Sequence, residues 1–267
     1  METAKVDNIL DMTGKTVLVT GGGQGVGRQV ALHCAGQGAA VVVNDYHTDR
    51  AEAVAAEITA EGGSALGLGC DVTDFDSVTT MVERAGKDLG PIDVLVNNAG
   101  NAGPTKDALS GIPPFWETGP KDWEPWIGTN FYGVLNASRA VLPGMVERSY
   151  GRIVSVISDA GRTGEPNLAV YGGAKAGAAG FSRGLAKAVG RYGITVNCVA
   201  LSTVNTPGVA SALANPETVK KALRGYVIRR FGEPADAANA VLFLASDAAS
   251  WVTGQTYPVN GGYAITP

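Results

Sequence analysis

Short apolar runs alternate along this chain with longer segments in which apolar and polar residues mix. The runs fall at 16–20, 40–44, 65–69, 93–97, 152–157, 194–199 and 256–259, and most are rich in valine or isoleucine. Consecutive apolar positions leave neither face polar, which is the pattern of strands buried between two helix layers. Between the runs lie segments of helical length at 26–37, 50–60, 77–89, 123–148 and 171–191. Strand, helix and strand in repetition give right-handed crossovers and a parallel sheet. The pattern predicts an α/β fold: a single doubly wound domain with a seven-stranded parallel sheet and helices on both faces. No low-complexity stretch, charge run or fixed period breaks it. We expect a tail at 1–13 and one domain over 14–267, with ligands outside the carboxyl ends of the strands, where strand order switches.

Composition narrows the partners. Of 267 residues, 45% are hydrophobic and only 17% charged, against a usual charged share of about 25%. Charge this sparse suggests that other subunits cover part of the surface. The 21 basic and 25 acidic residues give a net charge of −4 with no Lys/Arg block, which argues against nucleic acid or an anionic membrane as partner. No apolar run approaches the roughly 18 residues of a membrane span. The polar, acidic start at 1–11 does not read as a secretory signal, so a cytoplasmic protein is expected. Cys34, Cys70 and Cys198 show no CxxC spacing and read as buried small hydrophobes in a reducing compartment. With His33 and His47 as the only histidines, no metal site is expected.

The first strand runs into Thr20-Gly21-Gly22-Gly23-Gln24-Gly25-Val26-Gly27, and a helix follows at once. A pyrophosphate needs backbone N–H groups at close range and a helix N-terminus aimed at it, and side chains would obstruct that approach. The alternative, a tight glycine turn with no ligand, is weakened by the place of the motif between strand and helix. The second strand ends in Asn44-Asp45, where a carboxylate can take both adenosine ribose hydroxyls and would repel the 2′-phosphate of NADP. Neither Tyr46 nor Gln24 supplies a basic group for that phosphate, so NAD is the expected cofactor. Asp45 has the alternative of capping a turn. After the third strand, Asp71 and Val72 stand where an adenine would be held, and Asp71 can equally be a turn residue.

Tyr171-Gly172-Gly173-Ala174-Lys175 places two side chains at i and i+4 on one helix face. Ser158 lies upstream where the fifth strand runs out, Asn97-Asn98-Ala99-Gly100 closes the fourth, and Asn130 sits in Thr129-Asn130-Phe131-Tyr132-Gly133. With these motifs the chain resembles the short-chain dehydrogenase/reductase family over about 14–262, including the ending Val259-Asn260-Gly261-Gly262. The resemblance implies a Rossmann-type NAD-binding domain, a tetrad of Asn130, Ser158, Tyr171 and Lys175, and a homotetramer. It implies cofactor contacts from Gly21, Gln24, Gly25, Val26, Gly27, Asp45, Asp71, Val72, Asn98, Gly100, Tyr171, Lys175, Val204 and Thr206. In that reading Tyr171 takes the hydroxyl proton of a secondary alcohol, Lys175 favours the tyrosinate, Ser158 holds the substrate oxygen and Asn130 orients a relay water.

There is one departure. Where the family shows Pro-Gly after the sixth strand, this chain has Leu201-Ser202, so the turn toward Val204 and Thr206 differs. The expected activity is interconversion of an alcohol and a ketone by an NAD-dependent oxidoreductase acting on a small molecule. Its competitors are a dinucleotide-binding regulator without turnover, and an epimerase or dehydratase on a longer related fold. Substrate loops are expected at about 101–126 and 202–230, the first longer than the family's usual one through extra residues at 109–117. Two adjacent prolines there favour a loop over a helix. Phe115 and Trp116 on it are expected to gate a bulky, apolar substrate, alicyclic, steroid-like or a 3-hydroxyacyl thioester; packing on Trp123 or Trp126, or a subunit contact, is the alternative.

Overall fold

Alternate residues of each strand serve opposite faces, and here both faces are covered. In β1 (Thr16–Val19), Val17 and Val19 share a core with Val30 and Ala31 of α1 (Gly25–Gly36) and with Ala237 and Val241 of α9 (Pro234–Ala245). Leu18 belongs to the opposite core, with Val78 of α3 (Phe75–Asp88), Val141 of α5 (Gly133–Arg148) and Ala186 of α7 (Ala169–Val189). A computed structural model describes residues 8–100, 112–210 and 213–265. Its remaining strands are β2 (Ala40–Asp45), β3 (Ser64–Gly69), β4 (Val94–Asn97), β5 (Gly151–Ser158), β6 (Ile194–Leu201) and β7 (Thr256–Val259). They form one sheet in the order β3-β2-β1-β4-β5-β6-β7 with every pairing parallel. The chain winds outward from β1 through β2 and β3, then returns to place β4 on the other side of β1. That reversal puts the switch in strand order between β1 and β4, the place where open α/β sheets bind ligands.

Helix α2 (Thr48–Ala60) covers β2 and β3. The expected helix at 123–148 is present as α4 (Pro120–Ile127) and α5, joined by a π turn at Gly128–Tyr132. Asp122 starts α4 by accepting the N–H of Gly119 (2.9 Å). Short helices α6 (Ala160–Thr163) and α8 (Pro216–Ala222) complete the set among the described residues. None of these helices is long and apolar enough to cross a membrane.

Two expectations need correction. Residues 8–13 are not a free tail: Met12 is 1% exposed and its N–H bonds Gln37 O (2.8 Å), so the domain begins before residue 14. The sequence reading also passed over α9. Its residues are apolar on nearly all sides, so no amphipathic period marks them, although Pro234 at its first turn and Asp236 on the N–H of Glu233 (2.7 Å) are start signals. The cysteines do lie buried as free thiols.

Candidate active site

The glycine loop leaves β1 at Thr20, whose hydroxyl accepts the N–H groups of Asn98 (3.1 Å) and Ala99 (3.2 Å). Asn98 Nδ2 returns bonds to Thr20 O (3.1 Å) and Gly21 O (2.9 Å), so the ends of β1 and β4 are stitched together. No side chain fits inside this turn. A Cβ on Gly21 would stand 2.8 Å from Ala99 Cα, and one on Gly27 would stand 2.2 Å from Gly21 O. Gly21 and Gly25 also adopt φ of +61° and +56°, the left-handed region that favours glycine. Helix α1 starts at Gln24 with no side-chain cap and no acid in its first turn, unlike α3 and α8, which Asp74 and Asn215 cap. Its first N–H groups have no intrahelical acceptor, so loop and helix end form a cradle that fits an anion such as a pyrophosphate.

Asp45 stands beside this cradle, 7% exposed, its carboxylate accepting the N–H groups of Gly23 (3.1 Å) and His47 (3.0 Å). Asp71 closes its own turn by accepting from Thr73 N (2.9 Å) and Thr73 Oγ1 (2.8 Å), with Val72 buried beside it. On the far side, Thr206 lies against the cradle, its Cγ2 3.2 Å from where a side chain on Gly25 would begin. Val204 is buried and bridges to Gly232.

The tetrad candidates converge at the carboxyl end of β5. Lys175 is buried, and its ammonium donates to Val156 O (2.8 Å) and lies 5.8 Å from the centre of the Tyr171 ring. Burial pushes the ammonium down to about 8, against a small opposing effect of Cys198. Burial likewise raises the Tyr171 phenol, and a hydrogen bond with Ser158 works the other way. Asn130 is fully buried on the π turn and donates Nδ2 to Trp126 O (2.8 Å). Gly100 joins the group: a Cβ there would lie 3.3 Å from Asn130 Oδ1 and 3.6 Å from Lys175 Nζ. Ser158 and Tyr171 meet because α6 packs backbone to backbone on α7. A Cβ on Gly172 would stand 2.7 Å from Ala160 O, and one on Gly161 2.8 Å from Ala176 N. Asp159, next to Ser158 and 2% exposed, ties this corner to the chain's last residues. It takes Arg162 (2.5 Å) on one oxygen and Asn260 Nδ2 (2.8 Å) on the other, and Asn260 Nδ2 also holds Ala264 O (2.9 Å). A phenol, a hydroxyl and a buried ammonium so disposed can exchange a proton with an alcohol oxygen.

The family described as enoyl-(acyl carrier protein) reductase matches residues 21–264. A 3-oxoacyl-[acyl-carrier-protein] reductase of Haemophilus influenzae is 39% identical over 255 residues, covering 96% of this chain and all of its own. The chain belongs to the short-chain dehydrogenase/reductase family. Two solved members of that family superpose closely. A 7α-hydroxysteroid dehydrogenase complexed with NADH and 7-oxo glycochenodeoxycholic acid gives a TM-score of 0.88 at 36% identity, over 95% of this chain and 96% of its own. A 3-oxoacyl-[acyl-carrier protein] reductase of Brucella melitensis with bound NAD gives 0.86 at 32% identity, over 99% of each chain.

The aromatic that contacts Tyr171 is Trp126, the last residue of the substrate loop expected at 101–126. Trp126 meets the Tyr171 ring edge-on at 5.5 Å, while its carbonyl holds Asn130. Phe115 instead stacks on Trp123 (5.5 Å) within a short 3₁₀ turn, and Trp116 is 81% exposed. The expected gate at 101–126 lies in part outside the described residues, since 101–111 are not among them.

Proposed function

We propose that this chain interconverts a secondary alcohol and a ketone with NAD as its cofactor. The observation that carries the reading is the convergence of Ser158, Tyr171, Lys175 and Asn130 beside an uncapped helix end and a glycine cradle. The cradle fits a dinucleotide pyrophosphate; bound there, the nicotinamide supplies the hydride acceptor or donor. Gly21, Gln24, Gly25, Val26 and Gly27 hold the phosphates with backbone N–H groups, and Asn98 and Gly100 line the adenosine side. Asp45 takes the adenosine ribose hydroxyls and Asp71 with Val72 the adenine, while Val204 and Thr206 hold the carboxamide.

In this reading Ser158 orients the substrate oxygen and Tyr171 removes its proton. A phenol raised by burial is a poor base alone, so the nearby Lys175 cation is what favours its anion. Asn130, held by Trp126 O, orients the water that carries the proton onward. The Trp126 ring against Tyr171 supports a bulky apolar substrate, and the steroid and acyl-thioester chemistry of the relatives supports the same class.

The test is NADH formation across alicyclic, steroid and 3-hydroxyacyl thioester alcohols, with Tyr171→Phe beside the wild type. We expect turnover with at least one bulky alcohol, and a loss of about 10²-fold or more in Tyr171→Phe with NADH affinity unchanged. NADH binding without turnover on any of them would favour the regulatory alternative. More than about a tenth of the activity surviving in Tyr171→Phe would place the base elsewhere.

A further inference from the structure

The stretch 213–236 lies mostly at the surface, and its one buried residue is aromatic. Tyr226, 3% exposed, packs edge-on against Phe231 (5.5 Å) and tilted on Tyr263 (5.0 Å). Its hydroxyl shares a hydrogen bond with Ser202 Oγ (2.5 Å) and accepts the N–H of Thr203 (3.1 Å). Both partners lie in the turn that leaves β6. The same turn is gripped a second time: Thr203 O accepts Gly232 N (3.1 Å) and Asn205 N donates to Gly232 O (2.7 Å). Its far end carries Thr206 against Gly25.

Leu201 is the last residue of β6, paired with Ser158 and Val259, and its carbonyl accepts the N–H of Asp159 (2.9 Å), so the turn proper begins at Ser202. Beyond β6, residues 202–205 are held by the Tyr226 hydroxyl and by Gly232. We infer that Tyr226 is a positioning residue for the nicotinamide half of the cofactor: its hydroxyl holds the turn so that Val204 and Thr206 keep their place over the cradle. The inference rests on the cofactor reading above. It separates the two ends of the dinucleotide, because the hydrogen bonds and ring contacts of Tyr226 among the described residues go to Ser202, Thr203, Phe231 and Tyr263 and none to Asp45 or Asp71, so the adenosine end is expected to change little.

Tyr226→Phe keeps the ring packing and removes only the hydroxyl. Binding is measured for NADH, and for ADP-ribose, which has the same adenosine and phosphates without the nicotinamide. NADH is expected to bind about fivefold more weakly to the variant, which loses both bonds of the hydroxyl, and ADP-ribose within about twofold of the wild type. Ser202→Ala leaves Tyr226 in place and is expected to weaken NADH about threefold with ADP-ribose unchanged. Equal losses for the two ligands in both variants would show a merely structural tyrosine and overturn the inference, as would no loss in either. A wild-type chain that binds ADP-ribose but not NADH would overturn the functional reading and this inference together.

Discussion

Replacing Lys175 by methionine is expected to make the free protein more stable at neutral pH while abolishing its activity. The side chain is 4% exposed and its ammonium sits at about 8, well below the ordinary 10.5. The sign follows from proton counting. Between about pH 8 and pH 10.5 the unfolded lysine holds a proton that the folded one has lost, so wild-type stability rises with pH across that window. Below it both states are charged and the full cost of burying the cation is felt. At about 1.4 kcal/mol for each pH unit between the two values, that cost is about 3 kcal/mol. Methionine removes the charge and keeps much of the volume, but it leaves Val156 O without its donor, a loss of about 1 kcal/mol. The variant should therefore gain about 2 kcal/mol near pH 7, or several degrees in Tm for a chain of this size. Near pH 10.5 the wild-type amine is neutral and still donates, so the difference should reverse to about 1 kcal/mol in favour of the wild type. Paired urea titrations of the two ligand-free proteins at the two pH values read this directly. A stability difference that does not change with pH would refute the argument, since it would mean that Lys175 folds with an ordinary ammonium.

Two further outcomes follow from the same geometry. NAD should be preferred over NADP by at least about 10²-fold in kcat/KM, because a 2′-phosphate would meet the buried Asp45 carboxylate. Asp45→Ser should bring the ratio below about tenfold, and comparable kcat/KM for the two cofactors in the wild type would reject the assignment. Gly172→Ala drives a Cβ to 2.7 Å from Ala160 O, so α6 must lift from α7; stability should fall by about 1–3 kcal/mol and kcat with it. Gly173→Ala meets nothing within 4 Å and serves as the control, with stability unchanged or up to about 1 kcal/mol higher.

The strands were legible because Val17, Leu18, Val19 and their counterparts are apolar on both faces, a pattern that few other structures tolerate. The glycine loop and the Tyr171/Lys175 pair were legible because close backbone approach and i,i+4 spacing are written in consecutive residues. Contacts that depend on where two distant segments meet were not. Nothing near Tyr226 in the chain points to Ser202, and the sequence offered both Trp123 and Trp126 to Phe115 without deciding that Trp123 takes it while Trp126 faces Tyr171. Helix α9 escaped because its residues are apolar on nearly all sides, so no polar face reveals its period. The π turn that carries Asn130 was likewise unreadable, because the sequence repeats as an ordinary helix would across 123–148.

The bond between Asp159 and Asn260 spans 101 positions and joins the corner next to Ser158 to residues near the end of the chain. During synthesis the amino-terminal strands emerge first, and the glycine loop can take shape as soon as β4 is available to brace it. The wall behind Ser158 must wait for β7 and the Asn260 turn, since Asp159 has no other partner for its second oxygen among the bonds described. A nascent chain therefore acquires its glycine loop before the corner around Asp159 is complete. A ribosome stalled before residue 260 would display a chain whose glycine loop can form while Asp159, next to Ser158, still lacks Asn260.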